Sequence, residues 1–202
     1  MTKILFASNN SGKLREAKAI LEVYGLEIIS PKEIGISLEV KETGTSYLEN
    51  AVLKAEAFYR AAGIACIADD SGLEVDALSG APGVYSHRFA GSEAKSDEER
   101  CRFLIEKLRG FAKPWQATFH CVIAFFDKEL ITSSHGICRG EIVDNPKGLM
   151  GFGYDPVFRL SGYPLTMAEA GESLKNRVSH RADALRQLAP LLKDYFNNQP
   201  CL

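Results

Sequence analysis

The stretch KILFASNNSGKLREAKAILEVYGLEIIS, from Lys3 to Ser30, predicts a strand, a helix and a second strand in close succession. Lys3–Ala7 is short and mostly apolar, as in a buried strand, and Leu26–Ser30 has the same character. Gly25 offers a C-terminal cap for the helix between them. Apolar residues recur there three or four positions apart, as on one helical face, at Leu14, Ala17, Ile20, Leu21 and Tyr24.

A second helix and a third strand follow in the first half of the chain. Ser46 and Glu49 are spaced as in a capping box, which predicts a helix that runs to about Ala62. Ile64–Ala68 is then strand-like and leads into polar residues. Strands and helices therefore alternate, as in α/β proteins.

The second half adds elements of a different kind. Ser96 and Glu99 form another capping pattern, and a closing helix is predicted from Ser179 to about Phe196. Two β-rich runs, Gln116–Phe126 and Leu130–Cys138, are separated by three polar residues and predict an antiparallel hairpin. A late hairpin after an alternating start predicts an α/β fold with a mixed sheet flanked by helices.

Length and composition exclude several classes of protein. A chain of 202 residues is one ordinary domain or two small lobes, and we expect a single domain over residues 1–202. The chain has 24 lysines and arginines and 26 acidic residues, so its formal charge is −2. A protein that coats nucleic acid needs a basic excess, so we expect no nucleic-acid partner. A phosphate-bearing small molecule held by a few lysines remains compatible with this balance.

The cysteines and the apolar runs indicate a cytoplasmic protein without a membrane partner. No signal-peptide stretch is visible at the N-terminus, and no apolar run approaches the ~20 residues that span a bilayer. Five cysteines are an odd number, they are widely spaced, and none forms a CxxC pair. Free, mostly buried thiols in a reducing compartment are expected for Cys66, Cys101, Cys121, Cys138 and Cys201.

The loop between the first strand and the first helix is a candidate phosphate site. A helix N-terminus presents unpaired N–H groups and a positive dipole, and Lys13 adds a cation there. It is not a Walker A loop, because Ala7 and Leu14 stand where that motif needs a glycine and a serine or threonine. A capped helix start with a solvated lysine is the alternative. The candidate residues are Ser8, Asn9, Asn10, Ser11, Gly12 and Lys13.

Two acidic segments are candidates for metal chemistry. Asp69 and Asp70 follow an apolar strand, and since adjacent strand residues point to opposite faces, one of them suffices for a site. Carboxylates suit Mg²⁺, which binds through one or two of them plus substrate phosphates. Glu42 lies in a loop from which it could reach a metal, and Asn50 and Lys54 share one helical face. The alternatives are an Asp-Ser-Gly turn and a solvated polar helix face.

Two further segments are candidates for a functional site. The loop Gly151–Pro156 places two aromatic residues among glycines and an aspartate, so it could stack a base or, alternatively, plug the core. Ser179 would cap the last helix, with His180 and Arg181 in its first turn and their donors facing outward. Cations at a helix N-terminus oppose the macrodipole, and such inconsistencies concentrate at functional sites.

These segments, in this order and spacing, resemble the inosine/xanthosine triphosphate pyrophosphatase family. Members of that family cut deaminated purine nucleoside triphosphates to monophosphate and pyrophosphate. The resemblance covers nearly the whole chain and rests on several motifs together, namely SNNSGK (8–13), ETG (42–44), ENA (49–51), LKA (53–55), ADDSGL (68–73), GAPG (80–83), GFGYDP (151–156), Lys175 and SHR (179–181).

The resemblance implies a role for each matching position. Residues 8–13 would hold the triphosphate, Glu42 and Asp70 would hold Mg²⁺, and Asp70 would also be the base for the attacking water. Lys13 and Lys54 would neutralise phosphate charge, and Ser71 would contact substrate. The resemblance also implies a homodimer and two lobes with an active-site cleft between them. The base-binding end would be lined by Phe152, Gly153, Tyr154, Asp155, Lys175, His180 and Arg181.

Two other functions stay open at this point. One is a related nucleotide pyrophosphatase that acts on other modified bases, such as pyrimidines, with the same phosphate machinery. The other is a nucleotide-binding module without turnover. The acidic residues argue against a module, because a carboxylate beside phosphate gains nothing unless a cation lies between them.

Overall fold

The structure, a computed structural model, describes residues 2–91 and 96–198. Its strands are β1 (Thr2–Phe6), β2 (Leu26–Ile29), β3 (Cys66–Val75), β4 (Pro82–Gly83), β5 (Trp115–Asp127), β6 (Glu129–Ile142) and β7 (Phe158–Leu160). They form one sheet in the order β2-β1-β3-β5-β6-β7, with β4 paired to β3. The pairs β1–β2 and β1–β3 are parallel, whereas β3–β4 and β6–β7 are antiparallel.

Helices flank this mixed sheet, which confirms the predicted α/β fold class. They are α1 (Ser11–Leu21), α2 (Tyr47–Ala62), α3 (Asp97–Leu108), α4 (Gly171–Val178) and α5 (His180–Asn197). None of the helices in the described residues is long and apolar enough to cross a membrane.

The described residues divide into two compact units. The first comprises residues 2–70, 121–136 and 180–198, and the second comprises residues 71–91, 96–120 and 137–179. The division falls inside three long strands, β3, β5 and β6. The single domain over residues 1–202 and the cleft between two lobes stay predictions.

In the first unit, helices cover both faces of the sheet. Ile4 and Phe6 of β1 and Ile67 of β3 pack in one core with α1 and α5. The intervening residues, such as Leu5 of β1 and Ala68 of β3, pack in a second core with α2. The alternation follows from the pleat of a strand, which sends successive side chains to opposite faces.

The second unit has a core of its own. It joins the buried face of α3 to Leu73 and Val75 of β3, to Trp115 and neighbours of β5, and to Phe158 of β7. Helix α3 begins with a capping box, in which the Ser96 side chain accepts from the Glu99 N–H and the Glu99 side chain accepts from the Ser96 N–H.

Most helix starts and the hairpin are confirmed. Asn10 caps α1, Ser46 caps α2, and β5 and β6 are neighbours joined through Lys128 alone. Both ends of the third strand differ from the prediction: it begins at Cys66 rather than Ile64, and it runs on to Val75 rather than ending at Ala68. The four described cysteines, Cys66, Cys101, Cys121 and Cys138, are buried and free, as predicted, and Cys201 lies outside the described residues.

Candidate active site

Strand β3 sends its two adjacent aspartates to opposite faces of the sheet. Ile67 packs with α1 and α5, so Asp69, two residues on, points to the same side. Ala68 packs with α2, so Asp70 points to that helix. Both carboxylates are buried, with 1% of Asp69 and 6% of Asp70 exposed. Each therefore needs partners from the helix that it faces.

Asp69 lies in a buried ion cluster with α1 and α5. Lys13 Nζ lies 3.0 Å from one Asp69 oxygen, and Arg181 Nε donates to the same oxygen at 3.0 Å. Arg181 Nη1 also donates to Glu16 Oε2 at 2.6 Å. Burial alone would raise the pKa of Asp69, but Lys13 and Arg181 outweigh it and hold that pKa well below its usual range.

Arg181 is fully buried, which corrects the expectation of outward-facing donors. Burial disfavours its charge, but the adjacent Asp69 and Glu16 carboxylates raise its pKa. The helix start at His180 is likewise buried, at 5% exposure. The cause is long-range: a cation in the first turn of a helix is expected to be solvated, but Arg181 pairs with two buried carboxylates, Glu16 of α1 and Asp69 of β3.

Asp70 lies among polar groups of α2 and the loop before that helix. Asn50 Nδ2 donates to Asp70 Oδ2 at 3.0 Å. Lys54 Nζ lies 3.6 Å from Asp70 Oδ1 and 2.5 Å from Glu42 Oε1. Burial raises the pKa of Asp70, and the nearby Glu42 adds to this, while Lys54 opposes it without cancelling it. Asp70 is thus a more basic carboxylate than Asp69.

Lys54 is held in its charged form between these acids. Burial would lower the pKa of its ammonium, but Asp69, Asp70 and Glu42 outweigh that effect and raise it. Lys54 is one turn beyond Asn50 on α2, so both side chains reach the same side of the helix. The predicted shared face of Asn50 and Lys54 is confirmed by these contacts.

The loop that carries Glu42 is fixed by the start of α2. Asn50 Oδ1 accepts from the Gly44 N–H at 2.8 Å, and Glu49 Oε2 accepts from the Thr45 N–H at 2.6 Å. A Cβ at Gly44 would lie 2.6 Å from Glu49 Cβ and 2.7 Å from Asn50 Oδ1, so a side chain does not fit there. Asn50 joins the loop to Asp70, a role that sequence reasoning did not assign.

The candidate phosphate loop, residues 8–13, leads into the capped start of α1, and Lys13 lies in the first turn of that helix. Asn10 Oδ1 accepts from the N–H groups of Gly12 and Lys13 at 2.9 and 3.1 Å, and Ser8 Oγ accepts from the Asn10 N–H at 3.2 Å. Asn9, Asn10 and Ser11 are exposed. The Lys13 side chain is not solvated as in the capped-helix alternative, because it lies against Asp69 with only 18% exposed.

The second unit assembles five of the other candidates. Asp155 Oδ2 accepts from the Phe152 N–H at 3.0 Å and from Lys175 Nζ at 2.6 Å. Lys175 Nζ also lies 4.4 Å from the centre of the Phe152 ring. Gly153 donates its N–H to Asp97 Oδ2 at 2.7 Å, a partner in the first turn of α3 that the sequence did not reveal.

Tyr154 serves the core of the second unit. It is 4% exposed, and its hydroxyl donates to the Ser86 carbonyl at 2.9 Å. Burial raises its pKa above the ordinary tyrosine range. Tyr154 therefore fills the core, as in the alternative to ring binding, and Phe152 is half-buried.

The candidates thus fall into two sets. The second unit holds Ser71, Phe152, Gly153, Tyr154, Asp155 and Lys175. The first unit holds Ser8, Asn9, Asn10, Ser11, Gly12, Lys13, Glu42, Lys54, Asp70, His180 and Arg181, and of these it brings Glu42, Lys54 and Asp70 into one cluster and Lys13 and Arg181 into another around Asp69.

The donor set around Lys54 is compatible with a divalent cation. Glu42 and Asp70 each place an oxygen within 3.6 Å of Lys54 Nζ, so the positive charge between the two carboxylates is that of the Lys54 ammonium. Residues 2–91 and 96–198 contain no cluster of three or more His, Cys, Asp or Glu side chains placed to hold a metal. Two carboxylates still fit Mg²⁺, which completes its shell with phosphate oxygens and water.

Known proteins resemble this chain over almost its full length. A model of the Ham1 family matches residues 4–191. A dITP/XTP pyrophosphatase from Bacillus licheniformis is 44% identical over 194 residues, which cover 95% of this chain and 98% of that protein. One from Aquifex aeolicus is 45% identical over 200 residues, covering 95% and 97%.

Solved structures agree with the sequence comparison. A HAM1 protein from Coxiella burnetii has a TM-score of 0.84 at 39% identity, and 96% of this chain and 100% of that chain are covered. The Ham1 protein from Staphylococcus aureus has a TM-score of 0.82 at 41% identity, with the same coverage. On the strength of the family match and of these relatives, this chain belongs to the Ham1 family.

Proposed function

We propose that this chain hydrolyses the deaminated purine nucleoside triphosphates ITP, dITP and XTP to monophosphate and pyrophosphate, with Mg²⁺ as cofactor. The observation that carries the proposal is the Asp70 cluster, in which a buried, unusually basic carboxylate lies beside Lys54 and Glu42. Relatives named dITP/XTP pyrophosphatase, at 44% and 45% identity, supply the reaction class.

The chemistry follows from the two charge clusters of the first unit. Asp70 accepts a proton from a water that attacks the α-phosphorus in line, and pyrophosphate leaves. Lys54 and Lys13 neutralise the negative charge of the phosphates, and residues 8–13 orient the chain of phosphates by their backbone and side-chain donors. Glu42 and Asp70 would hold Mg²⁺, which when bound polarises phosphoryl oxygens.

We place base recognition on the aromatic and cationic candidates. The half-buried Phe152 is the candidate to stack on a purine, and Lys175 is fixed beside its ring by Asp155. Hypoxanthine and xanthine carry a 6-carbonyl that accepts from a donor such as that of His180, whereas adenine carries an amino group; the Arg181 donors face Asp69 and Glu16 instead. An unpaired buried donor costs about 1–3 kcal/mol, so His180→Ala should reduce the preference for ITP over ATP by about 5- to 150-fold.

We also propose a cytoplasmic homodimer. The four buried free thiols suit a reducing compartment. Light scattering in solution tests the oligomeric state, with a monomer mass at working concentration as the contrary result.

Product analysis tests the proposed function directly. The protein is mixed with Mg²⁺ and, separately, with ITP, XTP, dITP, GTP, ATP and dUTP. Monophosphate plus pyrophosphate from the inosine and xanthosine nucleotides, and loss of both products in EDTA, is the expected result. Release of single phosphate would move the attack to the terminal phosphorus and overturn the mechanism.

The same experiment separates the two rival functions. Turnover confined to dUTP or other modified pyrimidines would indicate a pyrophosphatase of different base choice. Nucleotide binding by calorimetry without Mg²⁺-dependent hydrolysis would indicate a binding module. The basic Asp70 cluster is the feature that disfavours a module, since binding alone does not need a buried carboxylate next to phosphate.

A further inference from the structure

We propose that Asn50 is a positioning residue that holds the Asp70 carboxylate and the Glu42 loop in one fixed arrangement for hydrolysis. The inference rests on the proposed function, because it assigns Asn50 a task through Asp70 rather than a contact with substrate. Asn50 is 0% exposed, although an asparagine on a helix is ordinarily solvated.

Both ends of the Asn50 amide are committed to groups of opposite kind. Its Nδ2 donates to Asp70 Oδ2 at 3.0 Å, and its Oδ1 accepts from the Gly44 N–H at 2.8 Å. A carboxylate needs a donor and an N–H needs an acceptor, so the amide has one orientation that satisfies both. The contact spans two places in the chain, the loop before α2 and the middle of β3.

Aspartate, serine and apolar residues cannot make both contacts as well as asparagine does. Aspartate retains an acceptor for Gly44 but places a second carboxylate against Asp70. Serine is too short to reach both partners, and an apolar residue leaves both buried groups unsatisfied. A Cβ at Gly44 would lie 2.7 Å from Asn50 Oδ1. The close approach of the loop backbone to the Asn50 amide therefore requires glycine at this position.

The position of Asn50 relative to Lys54 gives the contact its consequence. Lys54, four residues on, lies 2.5 Å from Glu42 and 3.6 Å from Asp70. The two α2 side chains therefore bind the same two elements, one by an amide and one by a charge. Loss of the amide frees the Asp70 carboxylate to turn toward Lys54, and a displacement of about 1 Å at a reacting group costs ~10²-fold in rate.

The test compares Asn50→Asp with wild-type protein, using dITP and saturating Mg²⁺. We expect kcat to fall by about 10- to 100-fold while KM stays within about threefold, since the change acts on the reacting carboxylate and not on nucleotide contacts. The matched control is Glu56→Gln on the same helix, whose carboxylate pairs with the exposed Arg60; its kcat and KM should equal those of wild type.

A second variant keeps the result decisive. Asn50→Ser removes the donor without adding charge, and it decides the outcome if the aspartate variant fails to give a cooperative thermal transition. A folded variant at this position with wild-type kcat, or with a raised KM and unchanged kcat, overturns the positioning role. Absence of turnover in the wild-type protein is a different failure, because it would reject the proposed function before any variant is compared.

Discussion

Asp69 and Asp70 are neighbours in the chain, yet the charges around them have opposite effects. Asp69 faces two cations, Lys13 and Arg181, which hold its pKa below the usual range. Asp70 shares one lysine with Glu42, and its burial raises its pKa. Two carboxylates whose surroundings drive their pKa values apart can divide a structural and a proton-accepting role between them. We expect the structural role to fall to Asp69, and the proton-accepting role is the one that we propose for Asp70.

The proton-accepting role predicts the behaviour of Asp70→Asn. An amide cannot take a proton from water, so kcat should fall by about 10²- to 10⁴-fold in steady-state assays with dITP. Nucleotide affinity measured by calorimetry should change little. Asp76→Asn, at an exposed aspartate outside the cluster, is the control and should retain full activity. Weaker binding with normal turnover at saturation would remove Asp70 from this role.

The buried cluster predicts a large loss of stability in Arg181→Met. The change leaves the Asp69 and Glu16 carboxylates without their shared guanidinium, and breaking a buried pair in this way costs about 3–5 kcal/mol. Urea unfolding at pH 7 measures the free energy. Arg60→Met is the control, because Arg60 is 76% exposed and a surface pair contributes about 0–1 kcal/mol.

The same variant has a predicted pH dependence. A carboxylate with a lowered pKa in the folded state stabilises the fold above its unfolded pKa of ~3.9, and that contribution is lost as the pH falls through the folded value. The wild-type advantage over Arg181→Met should therefore shrink as the pH is lowered below about 4. A difference that is the same at pH 7 and in acid would show that packing, not charge, carries the effect.

At the scale of whole elements, a helix start can be predicted from the sequence where a nearby side chain caps it. The caps of α2 and α3 each involve residues three positions apart and are visible in the sequence, whereas the sequence pattern names no cap residue for α1, which Asn10 caps. Helix α4 was missed because its first residue follows Ala170, which makes no side-chain cap. Helix termini are thus predictable to the extent that a side chain marks them.

Strand β3 shows where the local signal fails. The sequence Asp69-Asp70-Ser71-Gly72 has the composition of a turn, yet the strand continues through it to Val75. Asp70 accepts from Asn50 of α2 and Asp69 accepts from Arg181 of α5, so both buried carboxylates of the strand have hydrogen-bond donors. Arg181 lies 112 residues from Asp69, and no local pattern announces such a pair. The candidate residues were identifiable, but their partners were not.

The packing of α5 against β6 predicts the effect of Gly136→Ala. A Cβ at Gly136 would overlap the His180 carbonyl oxygen and the Ala184 backbone nitrogen, so the helix would have to move. Overpacking of this kind costs about 1–3 kcal/mol in urea unfolding. Gly110→Ala is the matched control, since a Cβ there meets nothing within 4 Å. Equal unfolding midpoints for the two variants would contradict this close approach.

For the molecule as a whole, each of the three apolar cores contains at least one cysteine. Cys121 belongs to the core with α1 and α5, Cys66 to the core with α2, and Cys101 and Cys138 to the core of the second unit. Thiol reactivity therefore reports the opening of each core separately, because only an exposed thiolate reacts.

Burial suppresses these thiols in two ways, by blocking access and by raising their pKa. The pKa of Cys101 and that of Cys121 are each raised to about 12, so almost no thiolate is present at pH 8. In a Cys201→Ser background, we expect the remaining four thiols to react with an aromatic disulfide reagent only as fast as the protein unfolds. In concentrated denaturant all four should react at once.

Partial denaturation then distinguishes one cooperative molecule from two units that open separately. If the units open separately, Cys101 and Cys138 label at a denaturant concentration different from that for Cys66 and Cys121, and mass spectrometry of peptides resolves the pairs. If the chain unfolds as the predicted single domain, all four label together, since the long strands β3, β5 and β6 contribute residues to both units. Rapid labelling of any of the four under native conditions would contradict the burial that both cases require.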